Sequence, residues 1–222
     1  MTRAGPVAAV IPVFDHEATI AAVIAGCADR VPIVVVVDDG SRDRSADRAE
    51  QAIEAASGET DFVLARHPQN LGKGAALLTG FRAAREHGAT AVVVLDADGQ
   101  HRPSDLPRFI REHAAHPDAI VLGNRDLDAA HIPESSRFGR AFSNFWVRRT
   151  AGADLPDTQC GYRLLPLGAT LDLPVRARRY DYEVEILVRA AWAGIPLRSV
   201  PIDVWYPERD ERVSHFRACV RH

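Results

Sequence analysis

Ile33-Val34-Val35-Val36-Val37 runs directly into Asp38-Asp39-Gly40-Ser41. Five consecutive β-branched residues leave no polar face, so a strand here has to be covered on both sides, as in a parallel sheet. The polar residues that follow supply a turn at the strand's carboxyl end. Similar apolar runs stand at Val7–Phe14, Phe62–Arg66, Ala91–Asp96, Ala119–Gly123 and Arg198–Trp205. Between them, Glu17–Ala28, Arg42–Ala56, Lys73–Glu86 and Pro103–His116 repeat apolar residues at helical spacing, with Ser41 and Ser104 as candidate N-caps. Strand and helix in alternation predict an α/β fold on a mostly parallel sheet with right-handed crossovers. Beyond Gly123 the pattern loosens: helices are expected over Ser135–Ala151 and Tyr182–Ala193, and an extended segment over Asp157–Leu165. No repeat, low-complexity tract or linker divides the chain, so a single domain is expected across residues 1–222.

The formal net charge is −3, from 27 Lys and Arg against 30 Asp and Glu. A protein dedicated to nucleic acid carries a basic excess, so nucleic acid is not an expected partner. Arg accounts for every one of those basic residues except Lys73. Cys27, Cys160 and Cys219 are odd in number, far apart and without a CxxC pair. That pattern argues against a disulfide framework or a zinc site and fits a reducing compartment. The run Val7–Phe14 is broken by Pro12 and closed by Asp15-His16-Glu17, which is too short for a signal peptide. No segment approaches the ~20 apolar residues that a membrane-spanning helix needs.

Open parallel sheets bind ligands beyond the carboxyl ends of their strands. Here those ends read Phe14-Asp15-His16, Asp38-Asp39-Gly40-Ser41, His67-Pro68-Gln69-Asn70, Asp96-Ala97-Asp98-Gly99-Gln100-His101 and Asn124-Arg125-Asp126. Carboxylates converging on one edge need a counter-cation or a cationic ligand. Asp96 and Asp98, two apart on an extended chain, share a face and could reach one hard cation, with Gln100 adding an oxygen. An EF-hand is excluded, because position six is His101 rather than Gly and position twelve is Pro107 rather than Glu. The alternative is an acidic turn that merely caps the next helix. Gly72-Lys73-Gly74 opens a helix, where backbone N–H groups favour an anion. A cation in that first turn opposes the helix dipole unless it faces an anion, although a solvated lysine also satisfies the sequence. Neither a Walker A loop nor a dinucleotide-binding G-x-G-x-x-G is present.

Six motifs recur in order: Ile11-Pro12-Val13-Phe14, Val37-Asp38-Asp39-Gly40-Ser41, Asn70-Leu71-Gly72-Lys73-Gly74-Ala75, Asp96-Ala97-Asp98-Gly99-Gln100-His101, Gly123-Asn124-Arg125 and Cys160-Gly161-Tyr162-Arg163. In these the chain resembles the inverting glycosyltransferases of family 2, with the GT-A fold, and most of all their dolichyl- or polyprenyl-phosphate mannosyl/glucosyl branch. The resemblance implies a nucleotide-sugar half over about 1–123 and an acceptor half over about 124–222. It implies that Pro12, Phe14, Asp15 and Asp39 contact the nucleoside and that Lys73 lies near the nucleotide. Asp96 and Asp98, with Gln100, would hold Mg²⁺ or Mn²⁺ against the diphosphate of the donor. Arg125 and Arg137, with Ser136 beside them, match arginines that grip a lipid phosphate, and Asp157 and Arg163 flank the acceptor site. Arg209, Ser214 and His215 match a loop that closes on the sugar nucleotide.

The chain departs from that pattern in two places. The first motif usually ends Tyr-Asn-Glu, where this sequence has Phe14-Asp15-His16; in the closing loop Arg212 replaces a Gly and His215 a Lys. The Glu-Asp and Gln-x-x-Arg-Trp pairs of the cellulose- and chitin-synthase-like branches are absent, which disfavours processive polysaccharide synthesis.

The implied chemistry is an in-line displacement at the anomeric carbon, for which Asp98, Arg125 and Asp157 are the candidate catalytic residues. A lipid phosphate acceptor is already anionic and needs no base, whereas a hydroxyl acceptor needs one, for which Asp157 is the candidate. A non-catalytic sugar-nucleotide-binding protein is the remaining alternative. Phe138, Ala141, Phe142, Phe145 and Trp146 share one helical face, either core or a guide for a polyprenyl tail. Arg176, Arg178, Arg179 and the basic end His215–His222 could meet anionic lipid headgroups, which suggests peripheral contact at the cytoplasmic face of a membrane. Relatives in this branch often continue into amphipathic or transmembrane helices.

Overall fold

A computed structural model describes residues 5–125, 148–149, 157–179 and 181–203. Strand β2 (Ile33–Asp38) is buried at all six positions, as its unbroken apolar run requires. It lies between β3 (Asp61–Arg66) and β1 (Val7–Val13), parallel to both. β4 (Ala91–Val94) continues the parallel set on the far side of β1. Next comes β6 (Arg163–Pro166), antiparallel to β4 and also to β5 (Ile120–Arg125), and then β7 (Leu197–Ile202), parallel to β5. The described residues thus form a seven-stranded sheet in the order β3-β2-β1-β4-β6-β5-β7, with β6 its one reversed strand.

The two-residue period of the strands sorts their side chains between two cores. Ile11, Val34, Val36 and Val93 join Ile20, Val23 and Ile24 of α1 (Ile20–Cys27) and Phe109 of α4 (Leu106–Ala115). Val10, Val35, Val37 and Val92 join Leu77 and Phe81 of α3 (Lys73–Glu86). The same core takes in Ile186 and Leu187 of α6 (Tyr182–Trp192). The remaining helices are α2 (Ser45–Ala55) and the short α5 (Leu167–Leu171). Cys27 and Cys160 are free thiols, and burial pushes both up to about 12, so neither is poised to react.

Three of the boundaries that differ from the sequence reading do so because side chains compete with helix or strand. α1 and α2 start late because the backbone before them is tied together. The N–H of Asp15 donates to the Ser41 hydroxyl, that of Arg42 to Asp15 Oδ1, and that of Arg44 to Glu17 Oε2. Ser41 is therefore not an N-cap, and Ser104 lies inside a 3₁₀ turn (Pro103–Asp105) without a capping hydrogen bond. β4 stops at Val94 rather than Asp96, because the Asp96 N–H turns away to His101 Nδ1 at 3.2 Å. Asp96 and Asp98 consequently sit in a turn and not on a strand. Pro12 does not break β1, which keeps its register with β2 through Val13 and Asp38. No helix among the described residues is long and apolar enough to cross a membrane.

Candidate functional site

Six parallel strands point their carboxyl ends to one edge, and β6, running the other way, brings its beginning there. That reversal carries Asp157 and the Cys160–Arg163 stretch to the same edge as Asp39, Asp96 and Arg125. The sequence reading expected such an edge from the parallel strands alone.

Asp39 is the hub of the β2 end. Its Oδ1 accepts from the Leu71 N–H at 2.9 Å and contacts His67 Nδ1 at 2.7 Å, while Oδ2 accepts the Gly72 N–H at 2.8 Å. His67 Nε2 reaches Thr79 Oγ1 at 2.9 Å, which joins the hub to α3. Gly40 has φ +73, and a Cβ there would lie 2.5 Å from the backbone of Gln69, so the two loops can meet only at a glycine. Asp39 is 3% exposed and Pro12 is buried, and the contacts Asp39 makes tie the loop after β2 to the start of α3. Phe14 is half-buried and Asp15 exposed, so both remain accessible. Asp15 has φ +57, a conformation that Asp and Asn tolerate better than other side chains.

The acidic turn is less open than its sequence suggested. Lys73 Nζ lies 2.6 Å from Asp96 Oδ1 and 2.9 Å from Glu183 Oε1 on α6. Burial alone would lower the Lys73 pKa, but the two carboxylates outweigh it and hold the ammonium above its ordinary value. The solvated-lysine alternative is thereby excluded, because the side chain is only 14% exposed. Asp98 Oδ1 accepts the Gln100 N–H at 2.9 Å. His101 is buried, and desolvation lowers its pKa against the pull of Asp96 and Asp98. With Nδ1 accepting the Asp96 N–H, the neutral ring carries its proton on Nε2.

Across the site, Arg125 and Asp157 make a forked ion pair, with Nε to Oδ2 at 2.6 Å and Nη2 to Oδ1 at 3.0 Å. Asp157 Oδ1 also accepts the Gln159 N–H. A base for a hydroxyl acceptor would first have to open this pair, so the expectation of Asp157 as a ready base is corrected. Arg163 is corrected too. It is 3% exposed, and its guanidinium is bonded to the carbonyls of Cys160, Thr158 and Glu183, so it pins the loop rather than meeting an acceptor. Arg176, Arg178 and Arg179 are exposed, on the segment whose Arg178 carbonyl accepts the Ala75 N–H at the start of α3. Ser136, Arg137, Arg209, Arg212, Ser214, His215 and the stripe from Phe138 to Trp146 lie outside the described residues.

The residues present fit a hard divalent cation. Asp96 and Asp98 supply two carboxylates in one short turn, and Lys73 and Glu183 fix the first of them. Among the described residues no group of three or more His, Cys, Asp or Glu side chains is arranged to hold a metal. Mg²⁺ commonly binds through one or two carboxylates together with substrate phosphates, so a larger set is not required.

Residues 8–164 match the sequence profile of glycosyl transferase family 2. The chain belongs to that family. The glycosyltransferase is 30% identical over 201 residues to the undecaprenyl-phosphate mannosyltransferase of Micrococcus luteus, spanning 87% of this chain and 81% of that one. It is 28% identical over 214 residues to the UDP-N-acetylglucosamine–dolichyl-phosphate N-acetylglucosaminyltransferase of Methanococcus voltae, spanning 90% and 85%. Glucosyl-3-phosphoglycerate synthase of Mycobacterium tuberculosis, solved with Mn²⁺, UDP and phosphoglyceric acid, superposes with a TM-score of 0.69 at 18% identity, over 92% of this chain and 72% of that one. Its fold is GT-A, as the sequence reading expected. Glu183 was missed by that reading, and His67 and His101, which stood in its strand-end runs, were given no role. Only the solitary Lys73 hinted that a buried acidic partner had to exist.

Proposed function

We propose that this glycosyltransferase moves a hexose, with inversion, from a nucleoside-diphosphate sugar to a polyprenyl phosphate, acting at the cytoplasmic face of a membrane. One observation carries the reading: the acidic turn Asp96–Asp98 and the forked Arg125–Asp157 pair stand on the same edge of one sheet. An acidic turn suits the cation that accompanies a diphosphate, and an oriented guanidinium suits an acceptor phosphate. The polyprenyl-phosphate relatives support the choice of acceptor. In this reading the donor occupies the half formed by residues 1–123 and the acceptor the half formed by 124–222.

Bound Mg²⁺ or Mn²⁺ would neutralise charge developing on the leaving diphosphate, with Asp98 and Asp96 as the residues to hold it and Gln100 beside them. Phe14 and Asp15 flank the nucleoside. Asp157 fixes the plane of the Arg125 guanidinium, so the acceptor phosphate meets donors that are already oriented. The phosphate oxygen is anionic at neutral pH and attacks the anomeric carbon without a base. Both Asp157 oxygens are committed to Arg125, which favours this route over a hydroxyl acceptor. Arg137, Ser136, Arg209 and His215 keep the roles the resemblance implies, closing over acceptor and donor.

A thermal-shift panel of nucleoside diphosphates and sugar nucleotides, with and without Mn²⁺, tests the reading. A ligand at a hundredfold excess over its Kd stabilises the native state by about 2.7 kcal/mol. The expected result is a metal-dependent rise in Tm with one nucleotide class. No shift with any nucleotide overturns it. Transfer to undecaprenyl phosphate from the donor so identified then tests the acceptor.

A further inference from the structure

Lys73, Asp96 and Glu183 converge on Gly161. A Cβ at that position would lie 2.9 Å from Asp96 Oδ2, 3.1 Å from Glu183 Oε1 and 3.3 Å from Lys73 Nζ. Four segments meet here: the start of α3, the turn after β4, the approach to β6 and the first turn of α6. Arg163 ties two of them together by donating to the Glu183 carbonyl. The cluster holds one ammonium against two carboxylates, and all three side chains are more than two-thirds buried.

One cation cannot neutralise both partners. While Glu183 holds the ammonium at 2.9 Å, Lys73 is shared between the two carboxylates. Without that second anchor the ammonium would collapse onto Asp96 and compete there with any other cation. We infer that Glu183 is a positioning residue: by holding Lys73 from the other side it fixes the place of the ammonium and the direction of the Asp96 carboxylate beside it, so that Asp96 can serve a divalent cation. Gly161 is the space that allows the three groups to meet. This inference rests on the metal-dependent donor reading above and adds to it a residue on α6, remote in sequence from the acidic turn.

Geometry separates this role from a simple through-space charge. Glu183→Gln keeps the length of the side chain and removes its charge, whereas Glu183→Asp keeps the charge but is one methylene too short for the contact. The experiment titrates Mn²⁺ into the UDP-saturated full chain and follows water-proton relaxation, with Tm recorded for each variant. If Glu183 acts by holding Lys73, both variants weaken Mn²⁺ binding, by about tenfold for a coupling of the usual size between contacting residues. Wild-type affinity in Glu183→Asp with a loss only in Glu183→Gln overturns the inference in favour of through-space charge, and unchanged affinity in both overturns it outright. Gly161→Ala provides a second route that leaves every charge in place; the same loss of Mn²⁺ affinity is expected, and an unchanged value counts against the inference. If the wild-type chain itself shows no Mn²⁺-dependent binding of UDP or of any other nucleoside diphosphate, it is the donor reading that falls.

Discussion

Arg125 Nε and Nη2 grip the two carboxylate oxygens of Asp157 at 2.6 and 3.0 Å, joining the end of β5 to the loop before β6. The Asp157 side chain is fully buried and that of Arg125 is 19% exposed. Removing one partner of a fully buried pair costs about 3–5 kcal/mol, and the residual solvation of Arg125 lowers this to about 2–3 kcal/mol for Asp157→Ala. Chemical denaturation should show a loss in that range. Donor binding should survive if Asp157 serves the acceptor as proposed, while the KM for a polyprenyl phosphate should rise as Arg125 loses its fixed plane. A fall in kcat alone, with acceptor KM unchanged, would favour Asp157 as a base.

Asp39 makes a second separable prediction. Its carboxylate accepts the N–H groups of Leu71 and Gly72 and contacts His67 Nδ1. Asp39→Ala leaves these donors without their acceptor, which costs about 1–3 kcal/mol for each one that water cannot reach. Amide exchange at Leu71 and Gly72 should speed up before global unfolding. An Asp39 whose only work was to touch the nucleoside would leave that exchange unchanged.

Much of this architecture could be read from the chain because unbroken apolar runs such as Ile33–Val37 permit few alternatives. α3 falls at its expected bounds, Lys73–Glu86. The errors gather where side chains capture backbone groups: Ser41 with Asp15 and Asp43 with Glu17, each across 26 residues, and His101 with Asp96 across five. The reversed β6 was read only as extended, because periodicity does not reveal strand direction. The site shows the same division. The acidic turn and Arg125 were legible as residue types, whereas their partners Glu183 and Asp157 lie 87 and 32 residues away from Asp96 and Arg125, and only the fold pairs them.

Asp96 and Asp98 should behave differently when removed. Asp98 is half-buried and accepts the Gln100 N–H, so Asp98→Ala should lower stability by no more than about 1 kcal/mol, the worth of an ordinary hydrogen bond. It should nonetheless abolish divalent-dependent UDP binding. Asp96→Ala removes a partner of the buried Lys73 and should lower Tm clearly as well as weaken the metal. Calorimetric UDP titration with and without Mn²⁺, alongside melting curves, separates the two. Unchanged metal-dependent binding in Asp98→Ala would remove Asp98 from the metal site.

His113 gives the pH dependence a defined sign. It is 3% exposed on α4, and neither ring nitrogen has a hydrogen-bond partner. Burial lowers its pKa below the ordinary histidine value of 6.5, with Asp118 partly opposing. A depressed folded-state value means that the native state prefers the neutral ring. Its contribution is complete above about pH 6.5 and is lost as the pH falls through the folded value. His113→Phe removes both orphaned nitrogens, so its Tm advantage over wild type should widen between pH 7.5 and pH 5.5. A difference that stays constant with pH would mean that His113 binds its proton equally well in the folded and unfolded states.

Gly80 tests how closely α3 must approach the sheet. A Cβ there would lie 2.5 Å from Val10 Cγ1 and 3.3 Å from Val37 Cγ2, both in the core between α3 and the central strands. Ala is worth up to about 1 kcal/mol over Gly in a helix interior, but overpacking a closed core costs about 1–3 kcal/mol. Gly80→Ala should therefore be net destabilising. The displacement should also reach the site, since α3 begins at Lys73 and moving it off β1 pulls the ammonium away from Asp96. Truncating the obstructing side chain offers the control: Val10→Ala alone opens a cavity, whereas Val10→Ala combined with Gly80→Ala lets the added methyl fill that space. The double variant should then be more stable than the sum of the single effects predicts, by about 0.5–3 kcal/mol for residues in contact. Strict additivity of the two substitutions would show that α3 yields without pressing on Val10, and that the glycine is not what sets its distance from the sheet.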